Sequence, residues 1–175
     1  MQYSLATLLP LMLTSLSPLA QALPFDVAPR ASIQELADAQ NSWRQDTSVV
    51  SQFLSAVPTL QGQRLQAAAQ VALDAENDEL LHKKVLDGAF SDDPRIAGAD
   101  DVLVGQGTFQ SVVDALARFS RDGAAMSPDE VLALLRRTNS VRCGRVLPAI
   151  DTYFRVTGEA LRNGGFLLAT RPTNC

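Results

Sequence analysis

The chain has 175 residues and a formal net charge of −4, with 46% hydrophobic and 19% charged residues. This composition is typical of a globular protein, and the length favours one hydrophobic core over two. Net acidity argues against nucleic-acid binding, which needs a basic surface to neutralise phosphates. With a single histidine, His82, and only two cysteines, nucleophilic catalysis is also disfavoured.

The N-terminal segment is typical of a secretory signal peptide. An uncharged apolar run from Leu5 to Leu19 precedes the small-x-small sequence Ala20-Gln21-Ala22, which has the usual form of a cleavage site. The run is shorter than the roughly 20 apolar residues that a membrane span needs. We therefore expect a secreted, extracellular protein without a membrane span, composed of a signal peptide (1–22), an extended lead (23–31) and a helical domain (32–175).

The first predicted helix begins at Ser32 and ends at Pro58. Ser-Ile-Gln-Glu, from Ser32 to Glu35, has the Ser-x-x-Glu pattern of a capping box, in which the hydroxyl and the carboxylate each accept a hydrogen bond from a backbone amide. Apolar residues then recur three and four positions apart, with Trp43 and Phe53 as the largest. One face of this helix should therefore be buried.

The second predicted helix, Arg64 to Asp87, has apolar residues on two opposite faces. One face carries Leu65, Ala68, Ala69, Ala72, Leu80 and Leu86, together with the ionisable Glu76, Glu79 and Lys83; the other carries Ala67, Val71, Leu81 and Val85. A helix that is apolar on both sides is expected inside a bundle, with neighbours on each side. The same helix has the densest ionisable run in the chain, which makes it the candidate for chemistry.

Within that run, Glu79 and His82 form a Glu-x-x-His pair of the kind that binds metal in di-iron helical bundles. Those bundles use the pair twice, and this chain has no second histidine. Glu76 or Asp78 could complete a weak single site with the pair. The alternative is an ion pair between Glu79 and Lys83, one turn apart. We favour this alternative, so no metal, other cofactor or catalytic residue is predicted.

Three further helices are predicted in the second half of the chain. Asp93 followed by Pro94 has the form of a helix cap and a first helical residue,. A further acidic start at Asp100-Asp101 opens the third helix, which contains Gly105, and this glycine should let a neighbouring backbone come close. The fourth spans Pro128 to Arg137 after a second capping box, and the fifth begins at Asn139 or Ser140 and should bend at Pro148,.

Cys143 and Cys175 are most simply joined in one disulfide if the chain is secreted. Cys143 lies on the apolar face of the fifth predicted helix. The tail, Phe166 to Cys175, should therefore run extended along the bundle, after a turn at Asn163-Gly164-Gly165. No segment has a convincing period of two. The predicted fold is all-α: a single-domain bundle of about five helices, with an extended C-terminal tail tied back by one disulfide.

The charges are distributed unevenly along the chain. Acidic residues exceed basic ones before Arg118, whereas from Arg118 onward arginines exceed acidic residues. We favour the explanation that the two halves face each other within one fold. The alternative is a basic surface that awaits an anionic partner, formed by Arg136, Arg137, Arg142 and Arg145.

Four short segments carry a resemblance to other proteins: Trp43 with Asp46-Thr47, residues 72–80, residues 147–154 and residues 171–175. Together they resemble a group of small secreted proteins of filamentous fungi, which implies secretion but assigns no site residue. In size and helical content the chain is also similar to fungal cell-wall galactomannoproteins and hydrophobic-surface-binding proteins, some of which bind lipids. It departs from them in its two cysteines and in lacking their Ser/Thr-rich tracts.

We therefore expect a secreted, non-catalytic helical protein that binds a protein or cell-wall partner at the cell surface or in the host environment, as effector-like proteins do. An alternative is an extracellular carrier that holds an apolar ligand, such as a fatty acid, between its helices. A weak metal-dependent enzyme that uses the Glu79–His82 pair is the third hypothesis.

Overall fold

The computed structural model describes residues 31–162 and 167–175. The predicted signal peptide, residues 1–22, lies outside these ranges. So do most of the predicted lead and the predicted turn at residues 163–165. None of the helices in the described ranges combines the length and the apolar character that crossing a membrane requires.

Helices form most of the described chain. They are α1 (Ile33–Ala56), α2 (Gly62–Ala89), α3 (Pro94–Asp100), α4 (Thr108–Asp122), α5 (Pro128–Val141) and α6 (Leu147–Leu161). A short 3-10 turn, Val57–Thr59, extends α1, and π-helical segments follow α3 and α5 at Asp101–Gly105 and Arg142–Val146. The described residues contain no strand, so the prediction of an all-α fold is confirmed.

The prediction of five separate helices is wrong. α5 continues through the π-helical segment Arg142–Val146 into α6, so the fourth and fifth predicted helices form one long rod. Pro148 follows this segment and has no amide hydrogen with which to continue a regular helical hydrogen-bond pattern. The wider turn just before it is closed by the Leu147 amide, which donates to the Arg142 carbonyl,. The rod forms a bundle of four long helices with α1, α2 and α4. The short α3 lies beside the α6 part of the rod.

The third predicted helix is also divided. The helical stretch begins at Pro94, where the Asp93 side chain caps α3 by accepting from the Arg95 amide, as predicted for Asp93-Pro94,. It is then interrupted at Gly107, whose φ of +65° lies in the left-handed region that favours glycine,. A Cβ on Gly105 would meet the Asp101 side chain, so the predicted close approach of a neighbouring backbone is wrong.

α1 follows its predicted pattern closely. Ser32 and Glu35 form the capping box: the Ser32 hydroxyl accepts from the Glu35 amide at 3.2 Å, and the Ser32 amide donates to the Glu35 carboxylate at 2.7 Å. Trp43 is fully buried, and its ring packs on Tyr153 and Phe154 of α6 with centroid distances of 5.1 and 5.7 Å. Trp43 therefore anchors α1 to the long rod.

α2 buries only one of its two apolar faces. Its inward positions alternate four and three residues apart and pack against α1 and α4; they are Leu65, Ala69, Ala72, Glu76, Glu79, Lys83 and Leu86. On the opposite face, Val71 is 60% exposed and Leu81 is 62% exposed. The prediction that α2 is enclosed on both sides is therefore wrong, because no described element covers the face that carries Val71 and Leu81.

The predicted disulfide between Cys143 and Cys175 is confirmed. The described part of the tail, residues 167–175, has no helix and is held along α1 and α6. The Asp151 carboxylate accepts from the Ala169 amide at 2.8 Å, and the Ser51 hydroxyl donates to the Thr170 carbonyl at 2.6 Å. The tail is thus fixed both by side-chain hydrogen bonds and by a covalent bond.

Replacing both cysteines by alanine should lower the free energy of unfolding by about 3 to 4 kcal/mol, since the disulfide closes a loop with a sequence separation of 32 residues,. Urea denaturation of the wild type and the double variant, without reductant, measures this difference. Wild-type protein reduced with dithiothreitol is the control and should match the variant. Equal midpoints for oxidised wild type and variant would contradict a stabilising role.

Candidate functional site

Three ionisable side chains meet in the centre of the bundle. Glu76 and Glu79 of α2 and Arg142 of the long rod are all fully buried. Arg142 Nη1 donates to Glu76 Oε2 at 2.5 Å, and Arg142 Nη2 donates to Glu79 Oε1 at 3.2 Å. Trp43 Nε1–H donates to the other Glu79 oxygen at 2.8 Å. We call Glu76, Glu79 and Arg142 the core charge cluster.

Helix periodicity explains why the two glutamates meet. Glu76 and Glu79 occupy successive positions of the inward stripe of α2, three residues apart, so both carboxyls point to the same neighbour,. Arg142 is the first residue of the π-helical segment in the rod. Segments of this kind occur frequently at functional sites, but here the segment delivers its arginine into the core.

Burial raises the pKa of both glutamates. The pKa of Glu79 lies well above its usual value because of burial and then because of the neighbouring Glu76 carboxyl, while Arg142 acts in the opposite direction. The pKa of Glu76 is also raised by burial, and Arg142 and a hydrogen bond with Glu79 oppose that rise. Two carboxyls beside one guanidinium are electrically balanced when they retain one proton between them.

Lys83 belongs to a second ionic group on the same stripe of α2. Its amine donates to Asp87 at 2.6 Å and also contacts Asp100. The Tyr153 hydroxyl donates to Asp87 at 2.6 Å, and burial, followed by this hydrogen bond, raises the pKa of Tyr153. The predicted ion pair between Glu79 and Lys83 is therefore wrong, because each side chain has other partners.

His82 follows Glu79 by three residues on α2, but its imidazole faces Asp46 of α1 and not the core charge cluster. Its side chain is partly exposed, and its Nε2 lies 3.3 Å from Asp46 Oδ2 and 3.9 Å from Asp78 Oδ2. Burial raises the pKa of Asp46 to about 6, although His82 opposes that rise. Glu76 and Glu79 are held in the core by Arg142. The structure thus separates both glutamates from His82 and places it beside Asp46 and Asp78.

The candidate basic surface is not formed as predicted. Arg136, Arg137 and Arg145 are exposed, but Arg142 is fully buried in the core charge cluster. Its two partners belong to the acidic half of the chain. For Arg142, the observed contacts agree with the favoured explanation that the two halves face each other.

A cleft lined mostly by apolar residues lies at one end of the bundle, with a volume of about 260 Å³. Polar atoms nevertheless make up nearly half of its exposed surface. We call it the apolar cleft after its lining residues. It forms where the turn between α1 and α2 meets the connection between α4 and α5. Its apolar lining includes Val57, Leu60, Leu65, Met126, Val131 and Leu132. Sequence reasoning did not identify this cleft, because its residues come from turns and helix ends that are distant along the chain.

Comparisons with protein families, with curated proteins and with solved structures found no match for this chain. The resemblance to small secreted fungal proteins therefore stays a prediction.

Replacing Arg142 by methionine should lower the free energy of unfolding by about 3 to 5 kcal/mol, because two buried carboxyls then lose their shared partner. Chemical denaturation at pH 7 measures the change. Arg136→Met, at an exposed position of the same rod, is the matched control and should change stability by less than about 0.5 kcal/mol. Equal effects of the two substitutions would show that the buried contacts contribute nothing measurable.

The stability contribution of Glu79 should fall as pH rises. Its folded-state pKa is raised above the usual value of a glutamate, so the contribution is complete below that usual value and is lost as pH rises through the raised pKa. Glu79→Gln, which resembles the protonated side chain, should therefore gain stability relative to wild type as pH rises above the usual pKa of a glutamate. Urea midpoints at several pH values measure this gain.

Glu159→Gln is the control for this pH series. Hydrogen bonding to Arg95 lowers the pKa of the exposed Glu159, so its contribution should be lost in the opposite direction, as pH falls. If Glu79→Gln and wild type have parallel pH profiles, a raised pKa of Glu79 in the folded state is ruled out.

Proposed function

We propose that this protein is a secreted, non-catalytic binding protein, and that it holds a small apolar ligand in the cleft at the end of the bundle. The observation that carries the proposal is the cleft itself, about 260 Å³ in volume and lined by side chains from the α1–α2 turn and the α4–α5 connection. Concave, mostly apolar pockets with a few polar groups are the usual form of small-molecule sites.

The size of the cleft limits the ligand. Typical small-molecule pockets occupy about 300 to 1,000 Å³, whereas an apolar cavity of about 150 Å³ already binds benzene. A volume of about 260 Å³ lies between these values. The proposed ligand is therefore a medium-length alkyl chain or a compound with two aromatic rings, rather than a whole long-chain fatty acid.

The ionisable groups of α2 support a non-catalytic role. Glu76, Glu79 and Lys83 are buried and each contacts another charged side chain. None of the three lines the cleft. Their positions are consistent with a structural function, in which the charges hold helices together and the cleft receives the ligand.

The proposal of secretion depends on the predicted signal peptide and agrees with the disulfide, a bond that persists in oxidising compartments,. The protein or cell-wall partner expected from the sequence is still a prediction, and it is separate from the ligand proposed for the cleft.

Fluorescence titration with N-phenyl-1-naphthylamine, a probe with two separate aromatic groups, tests the cleft. We expect binding to the wild type and displacement by decanoic acid. Met126→Trp should weaken probe binding at least tenfold, because the larger ring occupies the cleft. Ile33→Trp is the matched control: Ile33 is 63% exposed at the start of α1 and does not line the cleft, so this variant should bind as wild type does.

Circular dichroism and thermal melting establish that both variants are folded, and Leu132→Arg at the rim of the cleft provides a second, independent variant. Absence of probe binding to the wild type, or equal affinity in the cleft variants and Ile33→Trp, would overturn the proposal. Native mass spectrometry of protein secreted by a fungal host then measures the mass of any ligand retained from the cell.

A further inference from the structure

Asp46, Asp78 and His82 form a compact group of potential metal ligands between α1 and α2. One ligand atom from each residue lies within 4.8 Å of the other two. Asp78 and His82 are one turn apart on α2, and Asp46 is on α1. The group is separate from the apolar cleft, none of whose lining residues belongs to it.

The separations of these ligand atoms are close to those found around a first-row transition metal. Bonds of about 2.0 to 2.2 Å from tetrahedral zinc to nitrogen and oxygen place the ligand atoms roughly 3.3 to 3.5 Å from one another. His82 Nε2 is 3.3 Å from Asp46 Oδ2 and 3.9 Å from Asp78 Oδ2. The Asp78 side chain is 54% exposed, so it is free to move toward the other two ligand atoms, which lie within 4.8 Å of its own.

The Asp46 carboxylate is largely withdrawn from water, with 17% of its side chain exposed. Its Oδ2 atom is inaccessible to solvent and has no hydrogen-bond partner among the described residues. A carboxylate oxygen in this condition is costly, because its lost hydration is not replaced by a hydrogen bond. The same oxygen lies 3.3 Å from His82 Nε2, and this contact offsets part of that cost. A cation bound between the two side chains would offset the remainder.

We propose that Asp46, Asp78 and His82 bind a divalent transition-metal cation of the zinc type, with water completing its coordination. One imidazole nitrogen and two carboxylate oxygens suit Zn²⁺ better than Mg²⁺, which prefers oxygen ligands and keeps much of its water. Because its ligands come from both helices, the cation would join α1 to α2 near the middle of each. The site involves neither Glu76 nor Glu79.

Zinc titration of untagged protein tests the site by calorimetry and by nuclear magnetic resonance. His82 is the only histidine in the chain, so its ring nitrogen signals report binding at this position without ambiguity. We expect Zn²⁺ to shift these signals at equimolar concentration and Mg²⁺ to leave them unchanged. Asp46→Asn, Asp78→Asn and His82→Gln should each weaken zinc binding at least tenfold.

Asp74→Asn is the matched control. Asp74 lies one turn before Asp78 on the same helix and accepts a hydrogen bond from Gln70, outside the ligand group. It should retain wild-type affinity. The proposal is overturned if the His82 signals do not move in excess Zn²⁺. It is also overturned if Asp78→Asn, at an exposed position where misfolding is not expected, binds zinc as tightly as Asp74→Asn.

Discussion

The contact of Arg142 with Glu76 and Glu79 constrains the whole bundle. Removing three ionisable groups from water costs several kcal/mol for each ion, and the attraction between them recovers that cost only when the geometry is good. An apolar core at the same positions would avoid the cost. The cluster therefore contributes little net stability but restricts how the helices can pack. Any other register of α2 against the long rod would leave a buried charge without its partner.

Other polar residues along the same stripe of α2 contact further parts of the structure. Glu79 also accepts from Trp43 of α1, and Lys83, one turn further along, contacts Asp100 of α3. Asp87 follows and accepts from Tyr153 of α6. A single helical face thus holds α1, α3 and the long rod through charged or polar contacts. The apolar cleft lies at the other end of α2, beyond Leu65.

Features that depend on neighbouring residues were predictable from the sequence. The capping boxes at Ser32 and Ser127 formed as predicted, because all their donors and acceptors lie within four residues. The break between the fourth and fifth predicted helices did not form. Asn139 was expected as a possible cap for a new helix, but its side-chain amide donates to Asn174 of the tail, which is distant along the chain.

Features that depend on distant partners were not predictable from a single sequence. Periodicity placed Glu76 and Glu79 on the inward face of α2, but it did not identify Arg142 as their partner. Periodicity also detected the apolar residues opposite them, yet it carries no information on whether a neighbouring helix covers that face. The grouping of His82 with Asp46 was missed for the same reason, because it depends on how α1 lies against α2.

The face of α2 that carries Val71 and Leu81, which no described element covers, bears on the tendency of the protein to aggregate at high concentration. Ala67, Val71, Leu81 and Val85 follow one line along the helix surface, and a continuous row of this kind would favour aggregation,. Asp74 and Asp78 occupy the middle of that line and divide it into two shorter parts. Their like charges would oppose side-by-side packing of two copies of this helix. A cation at Asp78 would weaken that repulsion as well as join two helices within one molecule.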